Sequence, residues 1–348
     1  MRISLRPRSL LCSLYAGSLL LLLPGCGVSP LQRCAGQHPV AGARLQCPVP
    51  GWTDRAFSLA LPDDWDGQTR LPVVVAFHGG GGNRKAAARV TSPDGDPEAA
   101  AGLVRLAGRL GFAVVRPDGT GSRPLRNVRT WNAGGGRDGF NCASGGACRA
   151  GVDDLAYFDD LLTELAQVIP LDERRVHLTG LSNGGAISHR LACQRGAKVA
   201  SIAAVGGTNQ HGETDGECSG GPAVLQLHGT DDPCWTYEAS ARSCLEGPDA
   251  GIKVGVAESM AGWARRNGCT GEPVETPLPD VDPDDGTQSV RLVWPGCRAA
   301  VELVRIVGGG HTWPGGYAYL SEARVGKVAR DFAASTLILE FFRAHPRP

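Results

Sequence analysis

An α/β fold with a mostly parallel central sheet and helices on both faces is predicted by two features of this 348-residue chain. Short β-branched runs alternate with longer helical patterns from about residue 56 onward. Several of those runs are continuously apolar, as strands buried on both faces of a parallel sheet must be. The strand candidates are 56–61, 73–77, 113–116, 176–179, 202–205, 224–227 and 301–307. Between them lie helical patterns at 98–110, 152–168, 184–194, 256–266 and 328–342. The second is the clearest: Leu155, Phe158, Leu162 and Leu165 make one apolar stripe, while Asp153, Asp154, Asp159, Asp160 and Glu164 take other faces. Acidic residues in its first turn also suit the positive end of the helix dipole.

The N-terminus reads as an export signal. Arg2, Arg6 and Arg8 precede an apolar run at 10–23 that is too short to cross a bilayer comfortably. Leu23-Pro24-Gly25-Cys26 resembles a bacterial lipobox, with Pro24 departing from the small residue usual there. Residues 1–26 are therefore expected to be a signal, of lipoprotein type with Cys26 lipidated or of the ordinary cleaved kind, and 27–348 a single catalytic domain. Such a protein is extracellular, periplasmic or anchored to a membrane by its lipid. Lys plus Arg and Asp plus Glu balance at 35 each, so no overall field concentrates a polyanion and nucleic acid is not an expected partner.

Twelve cysteines are present, and ten of them follow Cys26. An even number in an exported chain implies disulfides, and no pair has the CxxC spacing of a zinc site. Neighbours along the chain give the expected pairs Cys34 with Cys47, Cys142 with Cys148, Cys193 with Cys218, Cys234 with Cys244, and Cys269 with Cys297. The glycine- and asparagine-rich stretch 119–150 is expected to be a long ordered loop or small cap. The acidic run Asp280, Asp282, Asp284 and Asp285 lacks the glycine and closing glutamate of a calcium loop and reads as a solvated turn.

Gly180-Leu181-Ser182-Asn183-Gly184 is a G-x-S-x-G motif set between a strand and a helix pattern. That setting makes Ser182 a candidate nucleophile on a sharp turn, where side chains at 180 and 184 would clash. A serine needs an adjacent base, and chain order requires a histidine well beyond it. His189 sits on the following helix, His211 and His228 precede or open an acidic loop, and His345 lies in a Pro-rich tail. His311, in the loop Gly308-Gly309-Gly310-His311 after an apolar strand, is the expected base. The acid is expected after strand 224–227, where Asp231 and Asp232 are neighbouring candidates. Oxyanion donors are expected from the N–H of Asn183 and from Gly80 in His78-Gly79-Gly80-Gly81-Gly82, a glycine run with no Gly-Lys-Ser/Thr to make it a P-loop.

The set His78-Gly79-Gly80-Gly81, Trp131-Asn132, Gly151-Val152-Asp153-Asp154, the serine motif, His228-Gly229-Thr230-Asp231-Asp232 and Gly309-Gly310-His311-Thr312-Trp313-Pro314-Gly315 resembles the secreted polyhydroxybutyrate depolymerases and feruloyl esterases. The likeness runs in order from about residue 50 to the C-terminus. It departs at Gly80-Gly81, where many relatives carry cysteine, and at Cys234. The resemblance implies an α/β-hydrolase fold and places the acid on Asp232, in the HGTxD segment. It implies ester hydrolysis through an acyl-enzyme, on polyhydroxybutyrate oligomers or feruloyl and aryl esters, without metal or organic cofactor. The partner is then a small-molecule or oligomeric ester. A serine peptidase or acyltransferase of the same fold, and a surface binding protein without catalysis, are the alternatives. Trp131, Trp235 and Trp313 are expected to wall the substrate pocket. Relatives that erode solid polymer add a binding module after the hydrolase; with the sequence ending at Pro348, directly after the last helical pattern, soluble esters are the expected substrates. Mass spectrometry of mature, unreduced protein is expected to find no alkylatable thiol among the ten downstream cysteines; several free thiols would contradict the disulfide reading.

Overall fold

Alternating faces of buried strands decide the architecture. In Leu71–Phe77 (β3), Val73, Val75 and Phe77 enter one apolar cluster while Val74 and Ala76 enter another on the opposite side. The structure, a computed structural model, describes residues 34–122, 128–135, 145–211, 218–240 and 252–348. Residues 1–33, with the expected signal and Cys26, lie outside the described residues. Gln32–Pro348 is one compact unit.

The strands in chain order are Arg44–Pro48 (β1), Ala56–Ala60 (β2), β3, Ala113–Pro117 (β4), Thr120–Ser122 (β5), Val128–Thr130 (β6), Leu171–Leu181 (β7), Ser201–Val205 (β8), Ala223–Gly229 (β9), Val274–Pro277 (β10), Gln288–Val293 (β11) and Val301–Val307 (β12). Ten of them form one sheet in the order β1-β2-β4-β3-β7-β8-β9-β12-β11-β10. The pairs from β4 to β12 are parallel, and both margins are antiparallel. β5 and β6 make a separate hairpin. The helices are Arg84–Val90 (α1), Leu103–Arg109 (α2), Gly146–Arg149 (α3), Asp154–Ala166 (α4), Asn183–Gln194 (α5), Val256–Arg266 (α6), Glu322–Val325 (α7) and Ala334–Ala344 (α8). Residues of α4, α5 and α6 share a cluster with Val73 and Val75, while α2 and α8 share the other with Val74 and Ala76. Helices therefore cover both faces, and the fold is that of an α/β hydrolase. Among the described residues no helix is long and apolar enough to cross a membrane.

Several boundaries differ from expectation for local reasons. The pattern at 98–110 begins as turns, with Ala99 N–H on Asp96 O and Gly102 N–H on Ala99 O, and the helix starts only at Leu103. The last helix starts at Ala334, because the preceding segment spends its backbone elsewhere, Ala329 O accepting from Gly315. In α4, Asp153 is the N-cap on Ala156 N–H, and the buried stripe is Tyr157, Phe158, Leu161, Leu162 and Leu165, with Leu155 at its rim. Asp154 and Glu164 are buried too, Asp154 on Arg55 and Glu164 on the Ala35 N–H. The acidic turn is exposed, and Asp285 accepts from Thr287 N–H and Arg330 N–H at 2.6 Å each.

Disulfides join Cys34 to Cys47, Cys193 to Cys218 and Cys269 to Cys297. Cys148 and Cys234 are disulfide-bonded as well; their expected partners, Cys142 and Cys244, lie outside the described residues. Closing loops of 13, 25 and 28 residues removes chain entropy worth about 3 to 4 kcal/mol each. Such a set suits an exported, extracellular protein.

Besides His311, four histidines are buried among the described residues. His177 lies over Phe342, ring centroids 4.8 Å apart, and burial pushes its pKa down to about 3. Burial pushes His78 and His189 down to about 4, and His228 downward as well. Each folded value lies below the ordinary histidine value of about 6.5, so the unfolded chain binds more protons as pH falls below it. Their contribution to stability is whole above about pH 6.5 and shrinks as pH drops toward 4. Thermal unfolding followed from pH 8 to pH 5 is expected to show a level Tm down to about pH 6.5 and a steady fall below it; a flat Tm throughout would contradict this.

Candidate active site

Strand β7 runs directly into α5 through Ser182, which holds φ 60° and ψ −125°. That strained conformation is stabilised by two backbone bonds, Ser182 N–H to Val205 O at 2.7 Å and Ala186 N–H to Ser182 O at 3.0 Å. Glycine is required on both sides. A Cβ on Gly180 would lie 2.6 Å from Phe77 O, and one on Gly184 only 2.3 Å from it.

The loop after β3 passes beside this turn. A Cβ on Gly79 would sit 3.5 Å from Ser182 Cβ, and one on Gly80 3.7 Å from Asn183 Cβ. Its backbone is aimed by His78. Gly119 N–H donates to His78 Nε2 at 2.9 Å, so the neutral ring carries its proton on Nδ1 and donates to Gly79 O at 2.8 Å. In a trans peptide the Gly80 N–H points opposite to the Gly79 carbonyl. Among the described residues neither Gly80 N–H nor Asn183 N–H finds an acceptor. The Asn183 side chain clamps Trp131 in both directions, Oδ1 accepting from Trp131 N–H at 2.7 Å and Nδ2 donating to Trp131 O at 3.0 Å.

His311 and Asp232 stand on the loops after β12 and β9. His311 Nδ1 meets Asp232 Oδ2 at 2.7 Å, and Oδ1 accepts from the N–H groups of Cys234 and Trp235 at 2.8 and 2.7 Å. Burial works against the Asp232 charge, yet His311 and these donors hold its pKa below the usual carboxylate range. Asp231, by contrast, is exposed and accepts from the Thr230 hydroxyl at 3.0 Å. With Nδ1–H on the acid, His311 keeps its Nε2 lone pair open. No hydrogen bond joins Ser182 to the ring among the described residues, a looseness common before substrate arrives.

Gly206 and Gly207, directly after β8, went unnoticed in the sequence. A Cβ on Gly207 would lie 2.0 Å from Ser182 O, and one on Gly206 3.2 Å from His311 Nδ1. These adjacent glycines let the serine turn and the histidine–aspartate pair approach. The paired glycine at the end of an apolar strand was the available signal.

The tryptophans require a correction. Trp131, Trp235 and Trp313 are 1 %, 2 % and 1 % exposed, and each indole N–H is bonded inside the protein: to His78 O at 3.0 Å, Thr208 Oγ1 at 2.8 Å and Ser335 Oγ at 3.1 Å. They brace the backbone behind the site instead of forming an open wall, because an indole in a dry interior must find an acceptor for its N–H.

No family model matches the chain. Among curated protein sequences it is 25 % identical over 287 residues to feruloyl esterase D of Neurospora crassa, covering 82 % of this chain and 80 % of that protein. It is 25 % identical to a probable feruloyl esterase C of Aspergillus clavatus, over 86 % of this chain and 91 % of that one. Among solved structures, acetyl xylan esterase from Aspergillus awamori superimposes with a TM-score of 0.51 at 15 % identity, over 78 % of this chain and 94 % of that one. The native structure of sOPH superimposes with a TM-score of 0.51 at 16 % identity, over 91 % of each chain.

Proposed function

We propose that this chain, a carboxylic ester hydrolase of the feruloyl esterase and polyhydroxybutyrate depolymerase-like α/β hydrolases, works through an acyl-enzyme formed on Ser182. The observation that carries the reading is the 2.7 Å contact of His311 Nδ1 with the buried Asp232 carboxylate, on loops that meet the strained serine turn through Gly206 and Gly207.

In this mechanism His311 Nε2 takes the Ser182 proton as Oγ attacks the ester carbonyl. Asp232 holds the ring in the Nδ1–H tautomer and stabilises the imidazolium that forms. The N–H groups of Gly80 and Asn183 receive the oxygen as it becomes negative, at a helix N-terminus that favours that charge. Collapse of the tetrahedral species expels the alcohol, which His311 protonates, and a water activated by the same nitrogen then hydrolyses the acyl-enzyme. The substrate is a small-molecule ester. Soluble short-chain, feruloyl or other aryl esters and 3-hydroxybutyrate oligomers are the class we favour, supported by the relatives named feruloyl esterase. Export with a lipid on Cys26 is the finer localisation we favour, on the lipobox-like segment and the disulfides.

A panel of p-nitrophenyl acyl esters, methyl ferulate and 3-hydroxybutyrate oligomers tests the substrate class, and variants test the residues. Ser182→Ala and His311→Ala are each expected to lower kcat by several orders of magnitude, because the groups act as a unit. Asp232→Asn is expected to cost less than either, and Asp231→Asn to stay near wild type. Greater damage from Asp231→Asn than from Asp232→Asn would move the acid, and clearing of crystalline polymer without turnover of soluble esters would reject the substrate class.

A further inference from the structure

Strand β9 is apolar except for Gln226 and His228, two positions apart and therefore on one face. Both are buried, at 0 % and 1 % exposure, and the mechanism above uses neither. They lie in a line of hydrogen bonds that begins on α6. Trp263 Nε1 donates to His189 Nδ1 at 2.9 Å, and His189 Nε2 meets Gln226 Oε1 at 2.9 Å. Gln226 Nε2 meets His228 Nδ1 at 3.1 Å, and His228 Nε2 meets the Trp235 carbonyl at 2.7 Å.

The direction of every link follows from its two ends. An indole N–H can only donate, so His189 Nδ1 accepts and the neutral ring carries its proton on Nε2. That proton goes to Gln226 Oε1, which fixes the amide orientation and aims its N–H at His228 Nδ1. His228 must then be protonated on Nε2. At the far end a carbonyl can only accept, and it requires the same tautomer.

We propose that the relay Trp263–His189–Gln226–His228 positions the catalytic acid by locking His228 as a neutral Nε2–H donor; the proposal rests on the assignment of Asp232 made above. The Trp235 peptide is held from both sides, because His228 bonds its carbonyl while Trp235 N–H bonds Asp232 Oδ1 at 2.7 Å. His228 Nε2 also lies 3.5 Å from Asp232 Oδ2, the oxygen that faces His311. A charged His228 would compete there for the carboxylate. The neutral one leaves the negative charge to His311. Around His228 the titratable groups are Asp232 and His311 from the two catalytic loops, His189 beyond Gln226, and Tyr237, whose ring meets it edge-on at 6.0 Å. With the opposite tautomer two donors would face each other at Gln226 and two acceptors at Trp235, losing both bonds.

¹⁵N-histidine NMR of the intact enzyme reads the tautomers directly. His189 and His228 are both expected to be Nε2–H and to show no titration between pH 6 and pH 9; an Nδ1–H tautomer at His228, or titration near the ordinary histidine value, overturns the proposal. Gln226→Leu is expected to lower kcat on p-nitrophenyl acetate about tenfold, with KM within twofold, and to shift the acid limb of kcat/KM to lower pH as the bond that favours protonated His311 weakens. Gln226→Glu gives a readout that loss of packing would not. As a neutral acid, its carbonyl accepts from His189 and its hydroxyl donates to His228, so kcat/KM relative to wild type at the same pH is restored at low pH and declines as the new carboxyl ionises. Folded Gln226→Leu protein with unchanged kcat and acid limb overturns the proposal, and if that variant does not fold, the wild-type tautomers decide. Fluorophosphonate labelling of wild-type enzyme separates this from the triad. Labelling at Ser182 with a titrating His228 rejects the relay alone. No labelling at Ser182, with both tautomers as stated, rejects the catalytic assignment and with it the relay's role.

Discussion

Backbone-to-backbone contact at the crossing of β3, β7 and α5 is the constraint on which the rest of the site depends. Phe77 O comes so near Gly180 and Gly184 that neither position has room for a Cβ. That approach sets Ser182 at the end of one of the innermost strands, with the first free N–H of α5 beside it and the Gly79–Gly80 loop against its side chain. The strain at Ser182 costs about 1 to 3 kcal/mol, and it persists because Val205 and Ala186 bond the serine backbone on either side. A turn so confined orients its hydroxyl before any substrate binds.

Around this crossing the interior divides its polar groups into those kept neutral and those kept charged. The buried histidines 78, 177, 189 and 228 are all pushed toward neutrality. Asp232 is held ionised by donors that converge on it. Asp154 is buried as well and burial pushes its pKa up, against which it pairs with Arg55 at 2.6 Å and accepts from Asn132 N–H at 2.6 Å, while the guanidinium lies 3.3 Å from the centre of the Tyr157 ring. This pair ties α4 to the segment carrying Trp131, and Trp131 in turn braces both Asn183 and the His78 carbonyl. The Asp154–Arg55 pair thus supports the geometry around the serine without touching it.

The centre of the sheet was legible in the sequence because strands buried on both faces must be largely apolar, and β3 and, after Ser201, β8 meet that condition. Its margins were not. β1, β10 and β11 pair antiparallel with solvent on one side, so their sequences mix Arg, Gln, Glu and Thr with apolar residues and resemble loops. Ser182 and His311 are candidates from motif and chain order, and the serine turn has the glycines at fixed offsets that such a turn demands. Asp231 and Asp232 could not be separated by local chemistry, because both follow the same strand and only three-dimensional placement buries one of them. The role of His78, and Gly206 and Gly207 altogether, were missed for a related reason: their work is to aim or to clear backbone for other residues, and no spacing rule marks it. The tryptophans misled because an aromatic near a catalytic position in sequence says nothing about which way its ring turns.

The three described disulfides join cysteines 13, 25 and 28 residues apart, and each loop closes before the next begins. None interleaves with another. A chain threading into an oxidising compartment from its N-terminus therefore presents both members of each of these pairs before the first member of the next. Among these six cysteines, pairing in order of emergence needs no break and re-pairing, a reshuffling that takes seconds to hours. The second bridge stands at the end of the helix that carries the serine turn, so that helix is tethered only in an oxidising setting.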